Sequence, residues 1–342
     1  MPPSVETQPV PAPNGPAGPV LSVTDVHKSY RAGLLSSARV RAVDGVSLEL
    51  APGETLGIVG ESGSGKSTLA RMLVGLERPD SGSVLFRGRP VAQGRGAAGR
   101  ATRRSVQMVF QDPLTSLNPR MTVLDIIAEP LDVHGLASGR AARRARVEEL
   151  LGLVGLAADM AQRFPHEFSG GQRQRIGIAR ALATEPDVLV CDEPVSALDM
   201  SVQAQVVNLF ADLQRRLGVS LVFIAHDLAV VRHVSHRVAV MYLGRIAEVG
   251  PADRVYTEPA HPYTQALLAA APVPEPAARD RERIELKGDP PSPLNPPSGC
   301  PFHTRCHLAQ DVCTTTVPPL AGPKPDPAGP HRSACHFSFD RP

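Results

Sequence analysis

The sequence has no tryptophan, and only 4% of its residues are aromatic. A platform for stacking nucleic-acid bases therefore has little to be built from. It also lacks a dominant charge: 36 lysines and arginines face 34 aspartates and glutamates, leaving +2. That balance implies no general attraction to nucleic acid or anionic lipid, and no nucleic-acid partner is expected. No apolar run approaches the ~18 residues of a membrane span, and the first residues lack a basic-then-apolar leader. The chain is therefore expected in the cytoplasm, with any membrane role coming through a partner. Cysteine is scarce as well. Of five, four fall at Cys300, Cys306, Cys313 and Cys335.

What is present fits one large domain plus an extension, since 342 residues can bury a full core. Residues 1–20 carry seven prolines and few large apolar side chains, which predicts a disordered tail. From Leu21 the pattern is strand-like (Leu21–Val26, Val46–Leu50, Val84–Phe86), with turn signals such as Ala51-Pro52-Gly53 between the strands. This predicts an antiparallel layer. Residues 91–104, rich in Gly, Ala and Arg, read as a surface loop. Val106–Phe110 reads as a buried strand, and 123–160 as mostly helical with a stripe of Val147, Leu150, Leu151 and Val154. A further helix over about 201–217 aligns Val202, Val206, Leu209, Leu213 and Leu217. Strands at Val219–Ile224 and Val238–Met241 complete an alternation that predicts a mainly parallel sheet covered on both faces. The arginine clusters (Arg100, Arg103, Arg104; Arg140, Arg143, Arg144, Arg146) read as solvated faces. After Ala271, sixteen of the last 71 residues are proline, which marks a separate, loop-rich extension.

The chemistry starts at Gly60-Glu61-Ser62-Gly63-Ser64-Gly65-Lys66-Ser67-Thr68, which fits the phosphate-binding pattern G-x-x-x-x-G-K-[ST]. Leu56–Val59 before it reads as a strand and Thr68–Val74 after it as a helix, the context the motif requires. Glycines let backbone N–H groups turn onto phosphate oxygens, and the helix N-terminus adds its dipole. Lys66 would reach the β/γ-phosphates and Ser67 would hold Mg²⁺.

A phosphate loop alone leaves many nucleotide hydrolases open. Phe168-Ser169-Gly170-Gly171-Gln172 then opens a helix, and Val188–Cys191 leads as an apolar strand into Asp192 and Glu193. Ser196-Ala197-Leu198-Asp199 and Ile224-Ala225-His226-Asp227 follow. Over about residues 21–270 this series resembles the ATP-binding subunits of ABC transporters. The resemblance implies an α/β phosphate-loop NTPase cassette: a parallel sheet core, an antiparallel β layer, and a helical subdomain at about 113–168. A Pro/Cys-rich extension over 271–342 would complete the chain.

The same resemblance implies roles. Asp192 would hold Mg²⁺ and Glu193 would orient the attacking water. His226 would contact the γ-phosphate. Gln111 would sense Mg²⁺ and the attacking water, and Tyr30 would stack on adenine. Ser169, Gly170 and Gly171 would close over ATP held by a facing second cassette, identical or related, with Asp199 on the contact between them. No catalytic position is substituted, so a competent ATPase is expected.

Longer stretches narrow the family: Val109–Pro119, Arg163–Phe168, Glu193–Asp199 and His261–Leu268. They resemble the oligopeptide/dipeptide importers, whose close relatives carry nickel. This implies two membrane permease subunits and an extracytoplasmic solute-binding protein as partners. The four late cysteines, with His303, His307, His331 and His336 nearby, read as metal ligands in a cytosolic chain. Their spacing does not choose between Zn²⁺ and a [4Fe–4S] cluster. Resemblance implies iron–sulfur, with zinc as the alternative. Cys191, on the apolar strand, reads as core packing. A soluble ABC ATPase acting on ribosomes or DNA is disfavoured, since the chain has neither a second phosphate loop nor sustained heptads.

Overall fold

The computed structural model describes residues 18–33, 38–91, 96–270, 288–323 and 330–339. The expected N-terminal tail lies outside the described residues up to 17, whereas Val20 is already buried.

In chain order the first elements are β1 (Leu21–Arg31), β2 (Arg39–Leu50), β3 (Thr55–Val59), α1 (Lys66–Leu73), β4 (Ser81–Phe86) and β5 (Arg89–Pro90). Next come α2 (Ala97–Ser105), β6 (Val106–Val109), α3 (Pro113–Ser116), α4 (Val123–His134), α5 (Gly139–Leu153) and α6 (Gly170–Leu182). Then follow β7 (Val188–Asp192), α7 (Met200–Leu217), β8 (Ser220–Ala225), α8 (Leu228–Val234), β9 (Arg237–Tyr242) and β10 (Arg245–Pro251). The chain ends through α9 (Ala252–Thr257), α10 (Pro262–Ala270), α11 (Asp311–Thr315) and β11 (Arg332–Ser333).

Two sheets form. One is antiparallel, in the order β2-β1-β4-β5. The other has seven strands in the order β11-β10-β9-β3-β8-β7-β6, and its members β9, β3, β8, β7 and β6 run parallel. Strands β3, β7 and β8 are buried at every position, as continuous apolar runs covered on both faces should be. Alternation along each strand divides the core. Val188 and Val190 of β7, with Leu56 and Ile58 of β3, join the side holding α1 and the antiparallel layer. Leu189 and Cys191 join the opposite side, packed by α4 to α8. The expected fold class is what folds, and Cys191 is core packing.

Two local expectations change. Part of the 91–104 stretch is helical: α2 buries Gly99 and Thr102 and leaves its arginines outward. Its alanines favour a helix strongly enough to offset the interspersed glycine. The α7 stripe is also shifted, because Phe210 and Val207 are buried while Leu217 is 47% exposed at the last turn. On α5 the stripe holds, with Val147, Leu150 and Leu151 buried and Val154 enclosed just past the helix. Several α5 arginines are paired rather than merely solvated. Arg143 bridges Asp125 and Asp132, and Arg146 bridges Glu149 and Glu185.

The C-terminal extension does not stand apart. β11 pairs with β10, Ala334 donates its N–H to the Ala247 carbonyl at 2.7 Å, and Cys300, Phe302 and Cys313 belong to the main core. Proline-rich composition signals loops correctly, but a few anchors suffice to dock them.

Candidate functional site

The phosphate loop leaves the end of β3 and enters α1. Gly60 and Gly65 sit at φ 156° and 102°, conformations that side-chain-bearing residues rarely adopt. A Cβ at Gly60 would lie 2.2 Å from the Met241 carbonyl oxygen, and one at Gly65 would lie 2.0 Å from that of Ala42. The loop is thus pressed between β9 and β2, and only glycine fits at either point. The Gly244 N–H holds the Ser64 carbonyl at 2.9 Å from the β9–β10 turn. Ser62 and Gly63 remain exposed at the tip, while Ser64 is buried and Thr68 is half-buried on α1.

Lys66 is buried, with its side chain 3% exposed. Its ammonium donates to the carbonyls of Gly60 at 2.7 Å and Glu61 at 2.9 Å, and lies 3.9 Å from Glu193. Burial lowers its pKa below the usual lysine value, although Glu193, Asp192 and Glu61 oppose that shift. The Ser67 hydroxyl donates to Asp192 Oδ1 at 3.0 Å. Burial raises the Asp192 pKa; the Ser67 bond works against this and the neighbouring Glu193 charge adds to it. A buried carboxylate so destabilised, with a hydroxyl oxygen in reach, is a donor set that suits a hard divalent cation.

Glu193 has φ 45°, the left-handed region, at a residue that gains nothing from it sterically. Its N–H is fixed on the Ile224 carbonyl at 3.0 Å, and its carbonyl accepts from the Ser196 hydroxyl at 3.0 Å. The unusual backbone turns its carboxylate toward Gln111, whose Nε2 donates to Oε2 at 3.0 Å. Glu193 and His226 line one small cavity of about 30 Å³ with Ser196 and Gln203. A space of this size holds a water or two. The structure therefore gathers Lys66, Ser67, Gln111, Asp192, Glu193 and His226 at the C-terminal ends of the parallel strands, where α/β sheets bind ligands.

The remaining candidates are placed as follows. Tyr30 lies on β1 opposite Val40 of β2, the strand whose Ala42 abuts Gly65, and the Lys28 ammonium sits 5.6 Å from its ring centroid. Ser169 caps α6 in a reciprocal box with Gln172. Gly170 and Gly171 follow, and a side chain at Gly171 would strike Val202 of α7. Asp199 caps α7, accepting from Val202 N at 3.0 Å and Ser201 Oγ at 2.7 Å. No hydrogen bond or ion pair among the described residues joins Ser169–Gly171 or Asp199 to the phosphate loop. They form a second group, brought together by α6 against α7.

The four late cysteines line one cleft with Phe302, His303 and His336. Backbone N–H groups reach three of the sulfurs: Phe302 to Cys300, Leu308 to Cys306 and Phe337 to Cys335. The Cys300 thiol is pushed up to about 11, chiefly by burial, with Cys313, Cys335 and Cys306 acting in the same direction. The donor chemistry suits a thiolate-bound metal, but the arrangement does not. No group of three or more His, Cys, Asp or Glu among the described residues could hold a metal ion. The expected [4Fe–4S] cluster or zinc site gains no support from this geometry.

Sequence reasoning missed the contacts that dock the extension. Arg305 pairs with Glu61, and the buried Glu248 accepts from the N–H groups of Ala260 and His261 and from His331 at 2.6 Å. Arg305–Glu61 and His331–Glu248 join residues 244 and 83 apart in sequence; the one local hint is the His261–Leu268 stretch.

Comparison with known proteins decides the family. Residues 43–196 match the ABC transporter family, and 247–313 match the oligopeptide/dipeptide transporter C-terminal region. The oligopeptide transport ATP-binding protein OppF of Escherichia coli is 55% identical over 83% of this chain and 85% of its own length. The chain belongs to the ABC transporter ATP-binding proteins. OppF of Salmonella typhimurium gives the same figures: 55% identity, over 83% of this chain and 85% of its own. The ATP-binding cassette MJ0796, solved as a dimer in a post-hydrolysis state bound to ADP and Pi, superposes with a TM-score of 0.61 at 29% identity. That match covers 68% of this chain and 98% of the other. Among the described residues of this ABC protein, no helix is long and apolar enough to cross a membrane.

Proposed function

We propose that this chain binds and hydrolyses ATP at the cytoplasmic face of the membrane and powers import of di- and oligopeptides through an ABC permease. The observation that carries the proposal is the Lys66–Ser67–Gln111–Asp192–Glu193–His226 constellation, in a chain whose C-terminal part matches the oligopeptide/dipeptide transporter region.

ATP and Mg²⁺ go with an ABC cassette. The backbone of Gly60–Thr68 and the Lys66 ammonium would cradle the phosphates, Tyr30 would stack on adenine, and Ser67, Asp192 and Gln111 would hold Mg²⁺. When bound, Mg²⁺ neutralises charge on the β- and γ-phosphate oxygens. Glu193, fixed by Gln111 and by its own backbone, orients and polarises the attacking water. His226 contacts the γ-phosphate from the same small cavity. Positioning and charge compensation carry most of such a reaction, since phosphoryl transfer asks for little covalent help.

The second group, Ser169, Gly170, Gly171 and Asp199, makes no hydrogen bond or ion pair with this chain's own phosphate loop among the described residues. It would close over ATP bound by a second cassette, heteromeric or identical, and two permease subunits and an extracytoplasmic solute-binding protein would complete the importer. In this division residues 21–270 are the cassette, with its helical subdomain at about 113–168, and 271–342 the extension. The four cysteines keep a testable part. Iron with acid-labile sulfide in anaerobically purified protein would establish a cluster, zinc would replace it, and neither would leave structural thiols.

The test of the main proposal is uptake of labelled di- and oligopeptides, with nickel alongside, in cells carrying wild type or Lys66→Ala. Peptide uptake lost in the variant is the expected result. Nickel uptake lost with peptide uptake intact would replace the cargo, and no change in either would overturn the transport role.

A further inference from the structure

The second residue of the phosphate loop is held by the C-terminal extension. Arg305 Nη1 lies 3.1 Å from Glu61 Oε1 and 3.0 Å from Oε2, and its side chain is only 6% exposed. The backbone of Glu61 is held as well: its N–H donates to the Tyr263 hydroxyl at 2.9 Å. Its carbonyl in turn accepts from the Lys66 ammonium. A continuous chain of polar contacts therefore runs from Arg305 through Glu61 to the lysine of the phosphate-binding motif.

The far end of that chain is rigid. Arg305 closes a short 3-10 turn, His303–Arg305, its N–H bonded to the Phe302 carbonyl at 3.0 Å. Phe302 packs edge-on against Tyr242 of β9 with ring centroids 5.3 Å apart, and against Tyr263 of α10 at 5.4 Å. Tyr242 and Tyr263 themselves meet at 4.6 Å. Cys300 and Cys306 flank the turn on either side and line the thiol cleft. Burial opposes the Arg305 charge, but Glu61 and Tyr242 together outweigh it, leaving the guanidinium above its ordinary pKa. The Arg305 guanidinium is thus enclosed against the Glu61 carboxylate. Nothing in the phosphate-binding motif itself requires an acid at position 61, because the four residues between its first two glycines are unrestricted.

We propose that Arg305 is a positioning residue for nucleotide binding. By clamping Glu61, it fixes the phosphate loop in its ATP-binding shape, so the extension sets the cassette's affinity for ATP. This rests on the phosphate loop being the ATP site. A pair that only docked the extension would affect stability and leave nucleotide affinity alone. Long-range charge acting without positioning makes a different prediction for Glu61. Removing a negative charge near the phosphates would tighten ATP binding, whereas loss of the clamp would weaken it.

The experiment is calorimetric titration of Mg–ATP into the full-length chain in a Glu193→Gln background, with melting temperature recorded for each variant. Arg305→Ala and Glu61→Gln are each expected to raise the Kd about fivefold or more, in the range typical of coupling between sites. The double variant should be no weaker than the weaker single, because both remove one interaction. Arg305→Lys should fall between, keeping the charge and losing the fork. Should Arg305→Ala fail to fold, Glu61→Gln breaks the same pair without touching the extension. An unchanged or tightened Kd in Glu61→Gln, or losses that simply add in the double variant, would overturn the proposal. A parent chain that bound no ATP would remove it together with the nucleotide site.

Discussion

Two loops meet at Glu61 and could hardly be encoded more differently. The phosphate loop is one contiguous run whose pattern reads locally, with lysine and serine at the helix start, even though Met241 and Ala42 press on its glycines from other strands. The loop from Cys300 to Cys306 makes its own 3-10 turn but is docked by distant residues, through Tyr242, Tyr263 and Glu61. The first loop carries chemistry that any phosphate-loop protein needs. The second carries placement that only this arrangement of extension and cassette requires. Contiguous motifs report reaction class, and scattered anchors report how that reaction is held in place.

The comparison breaks most readily at the chemical end. Glu193→Gln should retain ATP binding while ATP hydrolysis falls by about 10²-fold or more, as loss of a group that activates the nucleophile does. Phosphate release assays check this, and normal turnover would remove Glu193 from its role. On the placement side, Phe302→Ala should cost about 3–5 kcal/mol by emptying the aromatic site, with a melting temperature lower by roughly 10 °C. A loss under about 1 kcal/mol would mean the extension is held elsewhere.

A pH experiment separates the same two regions. His261 is buried, and burial lowers its pKa to about 4, with Glu248 partly opposing the shift. Its folded pKa lies below its unfolded value, so its neutral form contributes stability that is complete above about pH 6.5. That contribution is lost as pH falls toward 4, up to about 3 kcal/mol in all. His261→Asn, whose Oδ1 can accept the Tyr263 N–H in place of Nδ1, should lose less stability between pH 7 and pH 5 than the parent chain. Equal losses in thermal melts at the two pH values would assign the acid sensitivity to other groups. The smallest effect belongs to the helical region. Thr122→Ala removes the cap of α4 and should cost about 1 kcal/mol, lowering the melting temperature by roughly 2–4 °C.

How much was legible in advance follows the same divide. The sheet strands announced themselves because burial on both faces demands unbroken apolar runs, and β3, β7 and β8 have them. Phosphate-loop residues, Asp192 and Glu193 were legible because spacing along one chain fixes them in space. The α2 helix was hidden by the glycine among its alanines and arginines. Leu217 was drawn into the α7 stripe by periodicity alone, which does not show where a helix outruns its neighbours. Arg305 could not be found by pattern, since its partner lies 244 residues away. The cysteines were legible as a set but not as a metal centre, because spacing places thiols in one cleft without fixing their convergence.

The seven-stranded sheet ends on one side at β11, two residues long, between Pro330 and the Ala334 contact with Ala247. Open strand edges invite pairing with other molecules, and a very short terminal strand blunts that tendency. A cassette ending before residue 288 would expose β10, five of whose seven positions are buried here, as an unsatisfied ladder. By pairing with Glu248 and Val249, β11 thus covers an edge at which the sheet could otherwise add a strand from another molecule.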